Sequence, residues 1–164
     1  MHDRIVIVNS TPIIALAAID KFQLLKEVYK SVYIPKAVKD EVFAKQGSKA
    51  QIELAKAGDW IQVKQIQNSE SKKFFRVQLH DGEVEVMILG KELGADLLII
   101  DDYIAKEYAK YLDFRITGTL GVILRAKESG LVDKVKPQMD ALIQSGIYIS
   151  SKVYEDVLKL ADET

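Results

Sequence analysis

Cysteine is absent from the 164 residues. A disulfide scaffold, a thiolate nucleophile and a cysteine-based zinc site are therefore excluded. Histidine is almost as scarce: His2 and His80 are the only two, too few for a multi-histidine metal centre. Metal chemistry in this chain has to run on carboxylates and hard cations. Neither charge is in excess, since 23 basic residues face 24 acidic ones for a formal net charge of -1. Without a bulk positive field, nucleic-acid binding needs a local basic patch. No apolar run approaches the ~18 residues of a membrane span. The stretch Met1 to Val8 is too short for a signal peptide and carries Asp3. The expected location is the cytoplasm, with no membrane partner. A P-loop is missing, and Gly118 and Gly121 are too sparse for a dinucleotide fingerprint. Ser10 and His80 lack the nucleophile elbow that a hydrolytic triad would need.

What is present is an ordinary globular balance, 48% hydrophobic and 29% charged. The length suits one domain over 1–164. Arg4 to Val8 reads as a buried strand. Thr11 then caps a helix with Pro12 in its first position, and Asp20 with Gln23 suggests a capping box that restarts the helix through Tyr29. Ser31 to Ile34 is a second strand, and Pro35 opens the helix that holds Val38, Glu41 and Val42. Ser48 with Gln51 is another capping box, Gly58 a C-cap, and Trp60 to Val63 a third strand. Gln65 to His80 reads as a mobile basic loop. Asp81 caps a helix to Leu93, followed by Gly94. Leu97 to Ile100 and Phe114 to Ile116 are core strands, with Asp102 capping the helix between them. Thr117 or Thr119 opens a helix through Lys127. Pro137–Ser145 and Ser151–Leu160 are further helices, with Ile147–Ile149 a short strand between them. This alternation predicts an α/β fold with a mainly parallel sheet. Ile14–Ile19 and Val28–Ile34 hold more apolar residues than one helix face and one strand need, which predicts a homodimer.

In such sheets, sites form outside the carboxyl ends of the strands. Asn9, Ser10 and Thr11 follow the first strand, Asp101 and Asp102 the fourth, and Thr117, Gly118 and Thr119 the last. Adjacent carboxylates repel unless something neutralises them, and a divalent cation does so. The plainer use of Asp102 is as an N-cap. Glu41 lies at the edge of an apolar helix face. Of Asp81, Glu83 and Glu85, which all favour a helix N-terminus, Glu83 is selected because Gly82 beside it leaves the backbone room to approach a partner. Lys72, Lys73 and Arg76 are candidate phosphate contacts, or simply a solvated loop.

The segments IVIVNSTPIIALAAI (5–19), VYIPKAVKDEV (32–42), DGEVEVMILGKELGADLLIIDDYIAKEYAK (81–110) and ITGTLGVILRAKESGLV (116–132) together resemble the PIN domain, named for the N-terminus of the pilus protein PilT. The nearest likeness is to a PIN-like branch related to VapC-type toxins of toxin–antitoxin pairs. The resemblance implies a three-layer α/β/α sandwich and a metal-dependent endoribonuclease. It also implies Mg²⁺ or Mn²⁺ held by Asn9, Glu41, Glu83, Asp101 and Asp102, the four acids being catalytic. Ser10 and Thr119 are the small polar residues beside the site. RNA is the implied substrate and an antitoxin protein a candidate partner. Asn9 departs from the family, which has an aspartate there: an amide oxygen can bind a hard cation but brings no charge and cannot act as a base. That departure leaves an alternative, a degenerate PIN-like module that binds RNA or a protein without cleaving. A response-regulator fold is disfavoured because its acidic pair follows the first strand, not the fourth.

Overall fold

The computed structural model describes residues 4–75 and 79–164. In chain order these contain β1 (Val6–Val8), α1 (Ser10–Ala18), α2 (Leu24–Tyr29), β2 (Val32–Pro35), α3 (Lys36–Ala44), α4 (Lys49–Lys56), β3 (Ile61–Lys64), α5 (Asp81–Leu93), β4 (Leu97–Ile99), α6 (Tyr103–Tyr111), β5 (Ile116–Thr117), α7 (Thr119–Glu128), α8 (Lys136–Gln144) and α9 (Ser151–Leu160). The described strands form one parallel sheet in the order β3-β2-β1-β4-β5. Val6, Ile7 and Val8 in the middle strand are wholly buried, as are Leu98 and Ile99 beside them. Runs of apolar residues without alternation belong to strands covered on both faces. Helices supply those covers, giving the three-layer α/β/α arrangement.

Several local readings change once the chain is folded. Helix α1 starts at Ser10 with Asn9 in the N-cap position. Pro12 is thus its third residue, still within the first turn, where a missing N–H costs nothing. The proposed capping box at Asp20 and Gln23 is absent: Gln23 makes no side-chain cap bond and Asp20 adopts φ 58°, a left-handed turn that Asp tolerates. Ser48 does cap α4 by accepting the Gln51 N–H, but the Gln51 side chain reaches back to Gly47 rather than Ser48. His80, not Asp81, is the N-cap of α5. Ile147–Ile149 lies outside any strand. Within the basic loop, Ser69–Phe75 forms a 3-10 helix. The apolar surplus that suggested a dimer face is largely core: Leu16, Val32 and Ile34 are buried, leaving Ile14 exposed. Among the described residues, no helix is long and apolar enough to cross a membrane.

The chain end is tied down by Glu163. Its carboxylate accepts the Val135 and Lys136 backbone N–H groups at the start of α8 and pairs with Lys127 at 2.9 Å. Lys127 also donates to the Ala161 carbonyl. Burial pushes the Glu163 pKa up, but the two backbone donors and the lysine outweigh it and bring it to about 2. A depressed pKa gives stability that is full above the unfolded value and is lost as pH falls toward the folded one. Glu163→Ala is therefore expected to cost about 2 kcal/mol at neutral pH, the size of lost charge-assisted hydrogen bonds. The penalty should shrink steadily between about pH 5 and pH 2. Denaturant melts of both proteins across that range check it.

Candidate functional site

The strand order reverses between β1 and β4, the point outside whose carboxyl ends open parallel sheets place their sites. Asn9 leaves β1 there with its N–H still on the ladder, donating to the Ile99 carbonyl at 2.9 Å. The residue is 3% exposed, and Oδ1 is a buried side-chain atom with no hydrogen-bond partner among the described residues. An asparagine at an N-cap ordinarily accepts from the second or third N–H of its helix; here the third residue is Pro12, which has no N–H, and no cap bond forms. A buried acceptor left unpaired costs about 1–3 kcal/mol. The oxygen looks instead toward α5. A Cβ placed on Gly82 would meet Asn9 Oδ1 at 3.4 Å and Glu41 Oε2 at 3.4 Å. Three elements, the end of β1, helix α3 and the first turn of α5, thus meet around one point, which the missing side chain of Gly82 leaves open.

Glu83 follows directly. It is 6% exposed and its Oε1 accepts the His80 N–H at 2.9 Å. Burial raises its pKa, the His80 donor opposes that, and the Asp102 and Glu41 charges raise it further. Glu83 therefore feels both other acids. Asp102 performs the capping role read from the sequence, accepting the Ala105 N–H at 2.9 Å, while its charge also bears on Glu83.

Asp101 braces the wall of the site. One oxygen accepts the Thr119 N–H at 2.7 Å and the other the Thr119 hydroxyl at 2.6 Å. That bridge locks the end of β4 to the start of α7. Gly118 is required beside it, because a Cβ there would sit 2.6 Å from Asp101 Oδ1. Ser10 and Thr119 are both buried at the first positions of their helices. Glu85 carries a role that the sequence reading missed: one oxygen accepts the Ala37 N–H of α3 at 3.1 Å, and the other pairs with Lys72 at 2.8 Å. The only local hint was that Pro35, at the N-cap of α3, has no side chain able to cap. Lys72 also lies 3.7 Å from Asp81, and Lys73 lies 3.6 Å from Glu70. Two of the three expected phosphate contacts are thus ion-paired within the chain, and Arg76 lies outside the described residues.

The PIN-domain sequence model matches residues 5–163. The chain belongs to the PIN-domain family. No curated protein matches it. The PIN domain is a nuclease-type fold, and its members generally use divalent metal ions. Among the described residues, no three His, Asp or Glu side chains form a group able to hold such an ion. What this PIN domain does present is a set of hard oxygen donors, with the orphaned Asn9 amide oxygen facing Glu41 across the open cradle at Gly82 and Glu83 next to it. Donors of that kind fit a hard cation.

Glu83 gives a pH test. A carboxyl whose folded pKa is raised destabilises the fold as pH climbs from the unfolded value, about 4.3, through the folded one. Glu83→Gln keeps an acceptor for the His80 N–H. In EDTA it is expected to melt higher than the parent at pH 7, with the advantage vanishing near pH 4. Thermal melts from pH 4 to 8 decide this, and equal melting temperatures throughout would mean that the crowding is relieved in solution.

Proposed function

We propose that this PIN domain is a metal-dependent endoribonuclease. The observation that carries the reading is the buried, unpartnered Asn9 Oδ1 facing Glu41 across Gly82. A polar atom left unsatisfied at this cost calls for a ligand. Asn9, Glu41, Glu83 and Asp102 would hold Mg²⁺ or Mn²⁺. Such a cation, when bound, activates water and stabilises the leaving oxygen of a phosphodiester. Asn9 orients without adding charge to a site where acids already repel. Glu83 keeps its proton to higher pH than an ordinary glutamate and releases it as positive charge enters. Asp101 acts through Thr119 by fixing the wall of the crevice, so it is a positioning residue. RNA as substrate, the VapC-type branch with its antitoxin, a homodimer, a cytoplasmic location and a single domain over 1–164 all belong to this proposal.

A second reading is favoured by the lack of a three-acid group among the described residues. There the domain binds RNA or a protein and cleaves nothing. Incubation of a defined single-stranded RNA with the protein in Mn²⁺ and in EDTA separates the two. Cleavage in Mn²⁺ alone supports the nuclease, and intact RNA in both supports the binding module.

Two variants probe the cradle itself. The methyl of Gly82→Ala meets its neighbours at ordinary contact distance. Alanine in a helix is favoured over glycine by up to about 1 kcal/mol, so the melting temperature in EDTA should hold or rise. The open point is filled, however, and both cleavage and the Mn²⁺-induced rise in melting temperature should fall at least about tenfold in apparent affinity. Asn9→Asp is nearly isosteric and adds a carboxylate where acids already crowd. It should melt lower than the parent in EDTA and recover or exceed it in Mn²⁺. Parent-like behaviour in both buffers would place Asn9 outside the metal site.

A further inference from the structure

The chain has four arginines, at positions 4, 76, 115 and 125, against nineteen lysines. Three of the four, Arg4, Arg115 and Arg125, line one cavity of about 500 Å³. Arg4 precedes β1, Arg115 precedes β5, and Arg125 sits in the last turn of α7. Since β4 lies between β1 and β5, the backbones of Arg4 and Arg115 are two strand spacings apart, roughly 10 Å. Arg4 is at the amino end of β1, whereas Asn9 is at its carboxyl end, roughly 17 Å away along the strand. It is a separate place from the acidic crevice.

None of these three guanidinium groups has an ion-pair or hydrogen-bond partner among the described residues. Every ion pair there uses a lysine. Glu128 is the one acid in the lining, and it makes no ion pair among the described residues. Tyr29 completes the lining with its phenol. Burial raises its pKa, and the Arg125 and Arg4 charges act against that. Both guanidinium groups thus bear on the phenol oxygen, which keeps its proton and remains a donor. Surface solubility needs only lysine, which is nineteen of the chain's twenty-three basic residues. Arginine presents a planar fork of five donors that matches the oxygens of a phosphate two at a time. A carboxylate carries one charge and two oxygens. A phosphate concentrates more charge and three or more acceptors in one compact group, the better match to three arginines and a tyrosine that line one concavity.

We propose that this arginine cavity is a phosphate-binding site, taking the phosphate of a nucleotide or of a nucleic-acid strand. The test reads binding in EDTA, so it is independent of whether the acidic crevice cleaves RNA. The probes are AMP, adenosine, a short fluorescent single-stranded RNA and a glutamate-rich peptide, each titrated at low salt. AMP or the RNA is expected to bind, adenosine is not. Arg115→Gln and Arg125→Gln should each weaken binding about tenfold, as loss of a charge-assisted hydrogen-bond pair does. Each should also reduce the salt slope for RNA by about 1. Arg115→Lys retains charge without the fork and should recover only part of the affinity. All three side chains are exposed, so the variants should keep the parent melting temperature. RNA that displaces AMP identifies a strand as the source of the phosphate. AMP that binds and is not displaced identifies a free nucleotide. Binding of neither phosphate probe, affinity unchanged in both glutamine variants, or binding of the acidic peptide alone would overturn the proposal.

Discussion

In a parallel sheet, each helix that follows a strand begins at the carboxyl edge, and its first N–H groups have no partner within the helix. Those donors and their positive dipole ends accumulate along one side of the molecule. In this chain, carboxylates answer them. Glu85 takes the Ala37 N–H of α3, Glu83 the His80 N–H before α5, Asp102 the Ala105 N–H of α6, and Asp101 the Thr119 N–H of α7. Glu163 does the same for α8 from the chain end. The acids are gathered by the helices, and each is held in place by the helix it caps.

That arrangement explains how acids can gather at one edge of the sheet. Donors offset most of the repulsion locally, and the residual strain shows at two atoms. One is the Glu83 carboxyl, buried and facing Asp102 and Glu41, whose pKa is pushed up. The other is Asn9 Oδ1, which makes no cap bond in a helix whose third residue is Pro12 and has no hydrogen-bond partner among the described residues. Residue 9 being an amide rather than a carboxylate fits this balance, because a charge there would have no donor to meet it. The opposite edge of the sheet has the complementary character. Helix α7 ends there, its dipole favouring nearby cations, and three arginines collect with no acid held to them among the described residues.

Interactions between residues three or four apart were legible from the amino-acid order. The Ser48 cap on Gln51 and the Asp102 cap on Ala105 are of this kind, as is the Gly94 ending of α5, where φ is 65°. The local patterns misled where a suitable residue type lacked the right backbone. Asp20 turns left-handed, so it cannot cap. Asn9 has an N-cap's backbone, but its side chain points away from the helix.

The alternation of apolar runs with helical segments determined the class of fold, because strands buried on both faces and amphipathic helices satisfy their backbones in only a few layered ways. The chain's own order also put small polar and acidic residues after the strands. Only the tertiary structure decided which of them meet. Asn9, Glu41 and Gly82 share a point because β1, α3 and α5 pack together, and Asp101 is withdrawn to Thr119 because β4 and β5 are neighbours. Arg4 and Arg115 line one cavity for the same reason, with β4 laid between their strands. Such contacts depend on strand order, which is settled by the packing of the whole core and leaves no periodic mark on the sequence between them.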